Sequence, residues 1–184
     1  MDELNVARVF PPAEIGNPVE RLAILFDGHY DRLYRLARRL TASADDALDL
    51  VQETFLKAAR YPKAIPSGFT KEEAWLVRVL INIRRDQWRK TSTRSRFEAT
   101  ASGTGLLEPA NGDVEGALIA RFSVWRALDG LSPRRRAIVV MRELEGIAIP
   151  AIASLLGISQ ITVRWHLSMG RRDLSTALKA YLEE

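Results

Sequence analysis

Apolar residues recur at helical spacing along almost the whole chain, and nowhere do they alternate as a strand would. Leu22, Leu25, Phe26, Tyr30, Leu33, Leu36, Ala37 and Leu40 share one side of a long amphipathic helix over 19–40. His29 lies inside this pattern and reads as a satisfied, partly buried residue. Ser43-Ala44-Asp45-Asp46 is a capping box that opens a second helix, with Ala47, Leu48, Val51, Phe55 and Ala58 turned inward. Its opposite stripe carries Asp45, Asp49, Gln52 and Glu53 at i, i+4, i+7 and i+8. Residues 61–70, with two prolines and a glycine, form a loop. A further capping box, Thr70-Lys71-Glu72-Glu73, starts a third helix that runs to about Lys90. Leu76, Val79, Leu80 and Ile83 are its core face; Arg78, Asn82, Arg85 and Arg89 form a mainly basic stripe with Trp88 beside it.

Periodicity lapses from Arg94 to Asn111, where Ser, Thr, Gly and Ala dominate, as in a linker. Asp113 then caps a helix that reaches Asp129, with Leu118, Phe122, Trp125 and Leu128 inward. Ser132-Pro133 opens the next helix, a hydroxyl cap followed by a proline whose missing N–H costs nothing there. Ile138, Met141 and Leu144 fall on one side, and Gly146 ends it. Pro150 opens a short helix with Ile152, Leu155 and Leu156 as its apolar face. Gly157-Ile158-Ser159 is the turn into a last helix that buries Val163, Leu167 and Leu174. Two short helices joined by a glycine-containing turn make a helix-turn-helix, whose second helix normally enters a DNA major groove. Small bundles without DNA partners share this geometry. Arginines tilt the reading toward DNA: Arg134, Arg135 and Arg136 crowd a helix start, where positive charge opposes the macrodipole, and Arg164, Arg171 and Arg172 follow.

The expected fold is therefore all-α: two small helical domains joined by a flexible linker, the second a helix-turn-helix domain. The boundaries are a flexible leader over 1–18, a first domain over 19–96, a linker over 97–113 and a second domain over 114–184. At 184 residues two small domains are affordable in size. The net charge of +4 matters through its placement, since each domain carries a basic surface. Absence of cysteine excludes disulfides, a thiolate zinc site and a cysteine nucleophile. The proline-broken, acidic N-terminus resembles neither a signal nor a transit peptide, and no apolar run approaches the ~18 residues of a membrane span. The expectation is a soluble, cytoplasmic protein. His29 and His166 are the only histidines and lie far apart, which argues against a metal site or a triad. The acidic stripe could suggest a metal or acid/base site, and equally any solvated helix face; among sharp readings, a protein partner with basic residues fits better. The stripe with Trp88 suits melted nucleic acid, cations tracking phosphates and rings stacking on bases, or else is a solvated face with a core tryptophan. No catalytic residue, metal or cofactor is expected.

The pairing of these two domains resembles the bacterial RNA polymerase sigma factors, in particular the small extracytoplasmic-function (ECF) group of the sigma-70 family. The segment from Asp46 through Asp49, Leu50, Val51, Gln52, Glu53 and Thr54 to Phe55 resembles that family's signature helix, D-A-x-D-L-V-Q-E-x-F. Ala74-Trp75-Leu76 leading to Asn82 and Asp86 resembles its promoter-melting helix. Leu131-Ser132-Pro133-Arg134, Glu145-Gly146, Leu156-Gly157-Ile158-Ser159 and Thr162-Val163-Arg164 resemble its second domain, although that domain alone is also similar to the response-regulator class with a terminal helix-turn-helix. The resemblance implies that Asp49, Gln52 and Glu53 dock on core polymerase. It implies that the loop over 61–69 and the face with Asn82, Arg85, Trp88 and Arg89 capture bases of the melted minus-ten element. Gln160, Ile161, Arg164, Trp165 and Ser168 would face the minus-thirty-five duplex, with Arg171 and Arg172 on phosphates. Promoter DNA, core RNA polymerase and an anti-sigma factor are the partners it implies.

The chain departs from the family pattern in three places. Ala148, Ile149, Pro150 and Ala151 replace the usual hydroxyl and acidic residues at the first helix of the helix-turn-helix. Trp165-His166-Leu167 replaces small-Arg-Leu, and Met169 stands where a basic residue is common. Two other functions compete: a helix-turn-helix regulator that binds duplex DNA without polymerase, and a nucleic-acid enzyme using Asp45, Asp49 and Glu53 for a metal ion. The first leaves the acidic stripe unexplained; the second needs a further ligand that the sequence does not offer.

Overall fold

The computed structural model describes residues 17–98 and 123–182, and all regular structure among them is helical. Helix α1 spans Pro18–Leu40: the Asn17 side chain accepts the Val19 N–H at 3.0 Å, and Pro18 occupies the first turn, where no donor is lost. Leu25, His29, Leu33, Leu36, Ala37 and Leu40 form its buried row. Phe26, expected inward, is 41 % exposed and lies at the rim with its ring 4.8 Å from those of Tyr30 and Phe55. Helix α2 covers Ala44–Arg60, and the Ser43 hydroxyl caps it by accepting the Asp46 N–H at 3.0 Å. Its inner face includes Leu50 and Thr54, which sequence spacing had not placed there, while Leu48 is only half-buried. The buried Thr54 hydroxyl donates to the Leu50 carbonyl at 2.8 Å, so its polarity is satisfied within the helix.

The proline-rich loop holds a 3-10 turn, Pro62–Ala64, and a buried Ile65. Helix α3, Phe69–Glu98, begins one residue before Thr70, so the expected hydroxyl cap is not used. Gly68 does the work instead: at φ 103° its carbonyl accepts the Lys71 and Glu72 N–H groups, both at 2.9 Å. The helix also outruns its expected end near Lys90 and continues into the segment read as linker. The remainder of that linker, the leader up to residue 16 and the start of the helix expected from Asp113, with Leu118 and Phe122, lie outside the described residues.

Residues 123–129, here α4, are helical. Helix α5, Pro133–Val139, continues as a π-turn over Val140–Leu144 that closes with the Glu145 N–H on the Val140 carbonyl at 3.1 Å. Ser132 contributes its carbonyl, not its hydroxyl, to the helix start. Ile138 and Met141 are buried as expected, but the wider turn shifts the phase of its last residues, and Leu144 ends 57 % exposed. Gly146, at φ 67°, ends the run. Helix α6 is Ile149–Leu156, with Ile152, Ala153 and Leu156 buried and Leu155 half-buried. Gly157 takes the left-handed conformation, φ 64°, and the Ser159 hydroxyl caps α7, Gln160–Leu182, by accepting the Thr162 N–H at 3.1 Å. Val163 and Leu167 are buried under α7 and Leu174 is half-buried.

The two halves are more than tethered. α5 and α6 pack against α3, α5 also meets α1, and one apolar core runs through both halves. This explains why α3 buries Val77 and Ile81 as well as Leu76, Leu80 and Ile83, leaving Val79 half-buried: it is covered from two directions. Glu145, half-buried, closes the seam by accepting from Arg32 at 2.6 Å and from Arg39 at 2.8 Å. Arg136 donates to the Arg39 carbonyl at 2.7 Å, and Arg78 donates to the Leu155 carbonyl at 3.1 Å. Among the described residues no helix is long and apolar enough to cross a membrane.

Candidate functional site

Three surfaces carry the candidate residues. On α2, Asp45, Asp49, Gln52 and Glu53 are all exposed, because the i, i+4, i+7 and i+8 spacing that unites them sets them opposite Ala47, Val51 and Ala58. Glu53 accepts from the Gln87 amide of α3 at 3.2 Å, a surface contact that leaves the stripe open. Asp45, Asp49 and Glu53 gather no further ligand: among the described residues no three His, Cys, Asp or Glu side chains come together as a metal site.

The second surface is the stripe on α3, and the structure divides it. Arg78 is half-buried against α6, with its donor on Leu155. Asn82, Arg85 and Trp88 are half-buried, and Arg89 is exposed. Trp88 is thus neither fully exposed nor a core residue. Arg85 lies 3.6 Å from its neighbour Asp86. The first residue of α3, Phe69, is 62 % exposed, and its ring packs against buried His29 at a 30° tilt with centroids 4.3 Å apart. Glu72 lies 3.7 Å from the same imidazole. Gly28 makes this approach possible, since a Cβ there would stand 3.3 Å from the Phe69 ring. A glycine within a helix costs up to ~1 kcal/mol relative to alanine, and that mid-helix glycine was the signal for the docked loop that sequence reasoning passed over.

The third surface is the N-terminal half of α7. Gln160, Ile161, Arg164, Trp165, Ser168, Arg171 and Arg172 are all exposed. Arg164 contacts Gln160 at 3.4 Å, and Arg171 pairs with Glu143 at 2.7 Å. The triple arginine behaves differently from its sequence reading. Arg136 is 2 % exposed, pairs with Asp129 and lies over the Trp125 ring at 5.6 Å. Burial, only partly offset by Asp129, lowers its pKa from the ordinary arginine value. Arg135 pairs with Asp173 and lies 5.7 Å over the Trp165 ring. Two of the three arginines therefore hold the fold together, and only Arg134 is left without a structural task of this kind.

Comparison with known proteins agrees with both halves. Sigma-70 region 2 matches residues 25–94 and sigma-70 region 4 matches residues 121–174. The ECF RNA polymerase sigma factor SigL of Mycobacterium tuberculosis is 34 % identical over 155 residues, covering 84 % of this chain and 87 % of SigL. SigE of Mycolicibacterium smegmatis is 33 % identical over 159 residues, covering 85 % of this chain and 61 % of SigE, so the chain spans less than two thirds of that relative's length. The fold is similar to that of the sigma factor RpoE in complex with the anti-sigma factor NepR from Bartonella quintana, with a TM-score of 0.56, 24 % identity, and 88 % of this chain and 96 % of that one covered. CnrH in complex with the cytosolic domain of CnrY gives a TM-score of 0.57 at 24 % identity, over 90 % of this chain and 91 % of that one. The chain belongs to the ECF group of the sigma-70 family.

Proposed function

We propose that this chain binds core RNA polymerase, directs it to promoters and helps melt them, with no catalysis of its own. One observation carries the reading: an exposed acidic stripe and two separate basic surfaces coexist on one small, net basic chain. Asp49, Gln52 and Glu53 dock on core polymerase. The loop over 61–69, with Asn82, Arg85, Trp88 and Arg89, takes the melted minus-ten strand. Gln160, Ile161, Arg164, Trp165 and Ser168 face the minus-thirty-five duplex, and Arg171 and Arg172 reach its phosphates. α6 packs on α3 and accepts from Arg78, one turn from Asn82, so movement of the second half would clear space beside the minus-ten face. An anti-sigma factor is the partner we expect to govern that step, by analogy with the complexes of RpoE and CnrH. A duplex-binding regulator without polymerase would have no use for the α2 stripe. The test is to purify the chain with core polymerase and transcribe from promoters selected by the pair. Stable association and promoter-dependent initiation are expected; no association with core polymerase would overturn the proposal.

A further inference from the structure

The exposed face of α7 sets two large apolar side chains among its arginines. Ile161 is 76 % exposed and Trp165 is 54 % exposed, one turn apart on the stripe that continues through Ser168 to Arg172. Leaving two large apolar side chains in water is costly unless something covers them on binding. The Trp165 ring is also held in place. Arg135 lies over it at 5.7 Å and is anchored in turn by Asp173, while the His166 ring meets the indole in a T-shaped contact with centroids 4.9 Å apart. Gly170 permits this arrangement: a Cβ there would stand 2.6 Å from Val139 and 3.2 Å from the Arg135 side chain, so α5 and α7 could not approach closely enough to set Arg135 over the indole. A fixed indole and a bare isoleucine are thus presented on one helix face.

The charge around them selects the occupant. Arg164 and Arg172 flank the pair in solvent, and a recess of about 350 Å³ beside it is lined by Arg142, Arg164 and Arg171. Two phosphate backbones on either side of an apolar strip is the chemistry of a major groove, where the apolar group on offer is the thymine 5-methyl. We propose that Ile161 and Trp165 read thymine 5-methyl groups in the upstream duplex, and that Arg135 is the positioning residue that fixes the indole for this contact. The inference rests on the promoter-binding function proposed above and adds the chemical group being read.

Uracil tests it, because it pairs as thymine does and lacks only the methyl. Duplexes would be selected from a random pool with the full chain bound to core polymerase. Each thymine of the selected upstream element is then replaced by uracil in turn. Burying one methyl is worth ~0.8 kcal/mol, so at least one position should lose about fourfold in affinity. In Trp165→Ala or Ile161→Ala that ratio should fall to about one, whatever happens to the overall affinity for the duplex. Arg135→Ala should lower the ratio while the slope of affinity against salt stays unchanged, a readout that a general loss of stability would not reproduce. Thermal melting of each variant keeps folding separate, and Trp165→Phe should retain part of the methyl effect. Tight duplex binding with equal affinity for thymine and uracil at every position overturns the inference and leaves the promoter-binding function standing. Loss of core polymerase binding in Trp165→Ala, with the methyl ratio intact, would show a protein-facing patch and overturn it as well. Failure of the wild-type complex to select any duplex would overturn the underlying function together with it.

Discussion

Glu145→Gln should release the second half of the molecule from the first. Glu145 is 9 % exposed and takes one guanidinium on each oxygen, Arg32 at 2.6 Å and Arg39 at 2.8 Å. Burial works to lower the pKa of Arg32, but the hydrogen bonds and charges of Glu145 and then Glu73 outweigh it and hold that pKa above the ordinary value. Glutamine replaces an ion pair with a neutral acceptor of the same shape. A hydrogen bond to a charged group contributes ~1.5–3 kcal/mol. The glutamine carbonyl still serves one arginine, and Arg39, 34 % exposed, is partly screened by water. The net loss should then be ~1–3 kcal/mol, which shifts a closed-to-open equilibrium by about 5- to 150-fold. The chain has no cysteine, so Ala42→Cys and Ser175→Cys, both at exposed positions, give clean dye sites for energy transfer between the halves. Transfer efficiency should drop in Glu145→Gln at low salt. Arg171→Ala breaks an exposed pair inside the second half and should leave it unchanged. Equal transfer in wild type and Glu145→Gln would refute the argument, and so would an equal drop in the Arg171 control.

Reversing Asp49 and Glu53 to lysine together should abolish binding to core polymerase and change stability by no more than ~0.5 kcal/mol, since both are exposed and the hydrogen bond of Glu53 with Gln87 lies at the surface; unchanged polymerase affinity would sink the docking role. Trp88→Ala should lower open-complex formation by the ~1–3 kcal/mol of a lost stacking platform while sparing an upstream duplex fragment, and a folded variant that melts promoters normally would end that assignment. His166 has its pKa lowered below 6.5 by burial and then by Arg135 and Arg134. The unfolded chain therefore takes up the proton first, so its contribution to stability is complete above pH 6.5 and is lost as pH falls toward the lowered folded value. The melting temperature should drop between pH 7.5 and pH 5.5 more steeply in the wild type than in His166→Gln; parallel profiles would remove His166 from the explanation.

How far the chain can be read without its structure follows from what periodicity encodes. Ser43, Gly146, Gly157 and Ser159 act where sequence placed them, because caps and left-handed turns are decided within a few residues. Thr70 failed for the same local reason: Gly68, two positions earlier, supplies the carbonyl for the first turn and makes the hydroxyl redundant. Leu144 failed because a π-turn changes the phase, which an ideal 3.6-residue period cannot anticipate, and Leu48 because α2 buries the row through Leu50 and Thr54 instead. The acidic stripe on α2 and the face of α7 were legible, since exposure there needs only one amphipathic helix.

Arginine marks the limit of that method. In a basic chain with a helix-turn-helix, Arg134, Arg135 and Arg136 invite a single explanation, yet Arg134 is half-buried, Arg135 clamps Trp165 and Arg136 is buried with its pair on exposed Asp129. Their spacing does not separate them: Arg135 is fixed by Asp173, 38 residues away, and Arg136 by Asp129 and the Arg39 carbonyl, 7 and 97 residues away. The same holds for Glu145, whose partners are 113 and 106 residues distant. Sequence spacing can say which residues share a helix face, but whether that face meets water, DNA or another helix is settled by the tertiary packing. For α3 this matters most, because the stripe proposed for melted DNA is the one that α6 partly covers. Arg78, which donates to the Leu155 carbonyl, lies one turn from Asn82, so on the proposed reading closure and promoter melting compete for the same face of one helix.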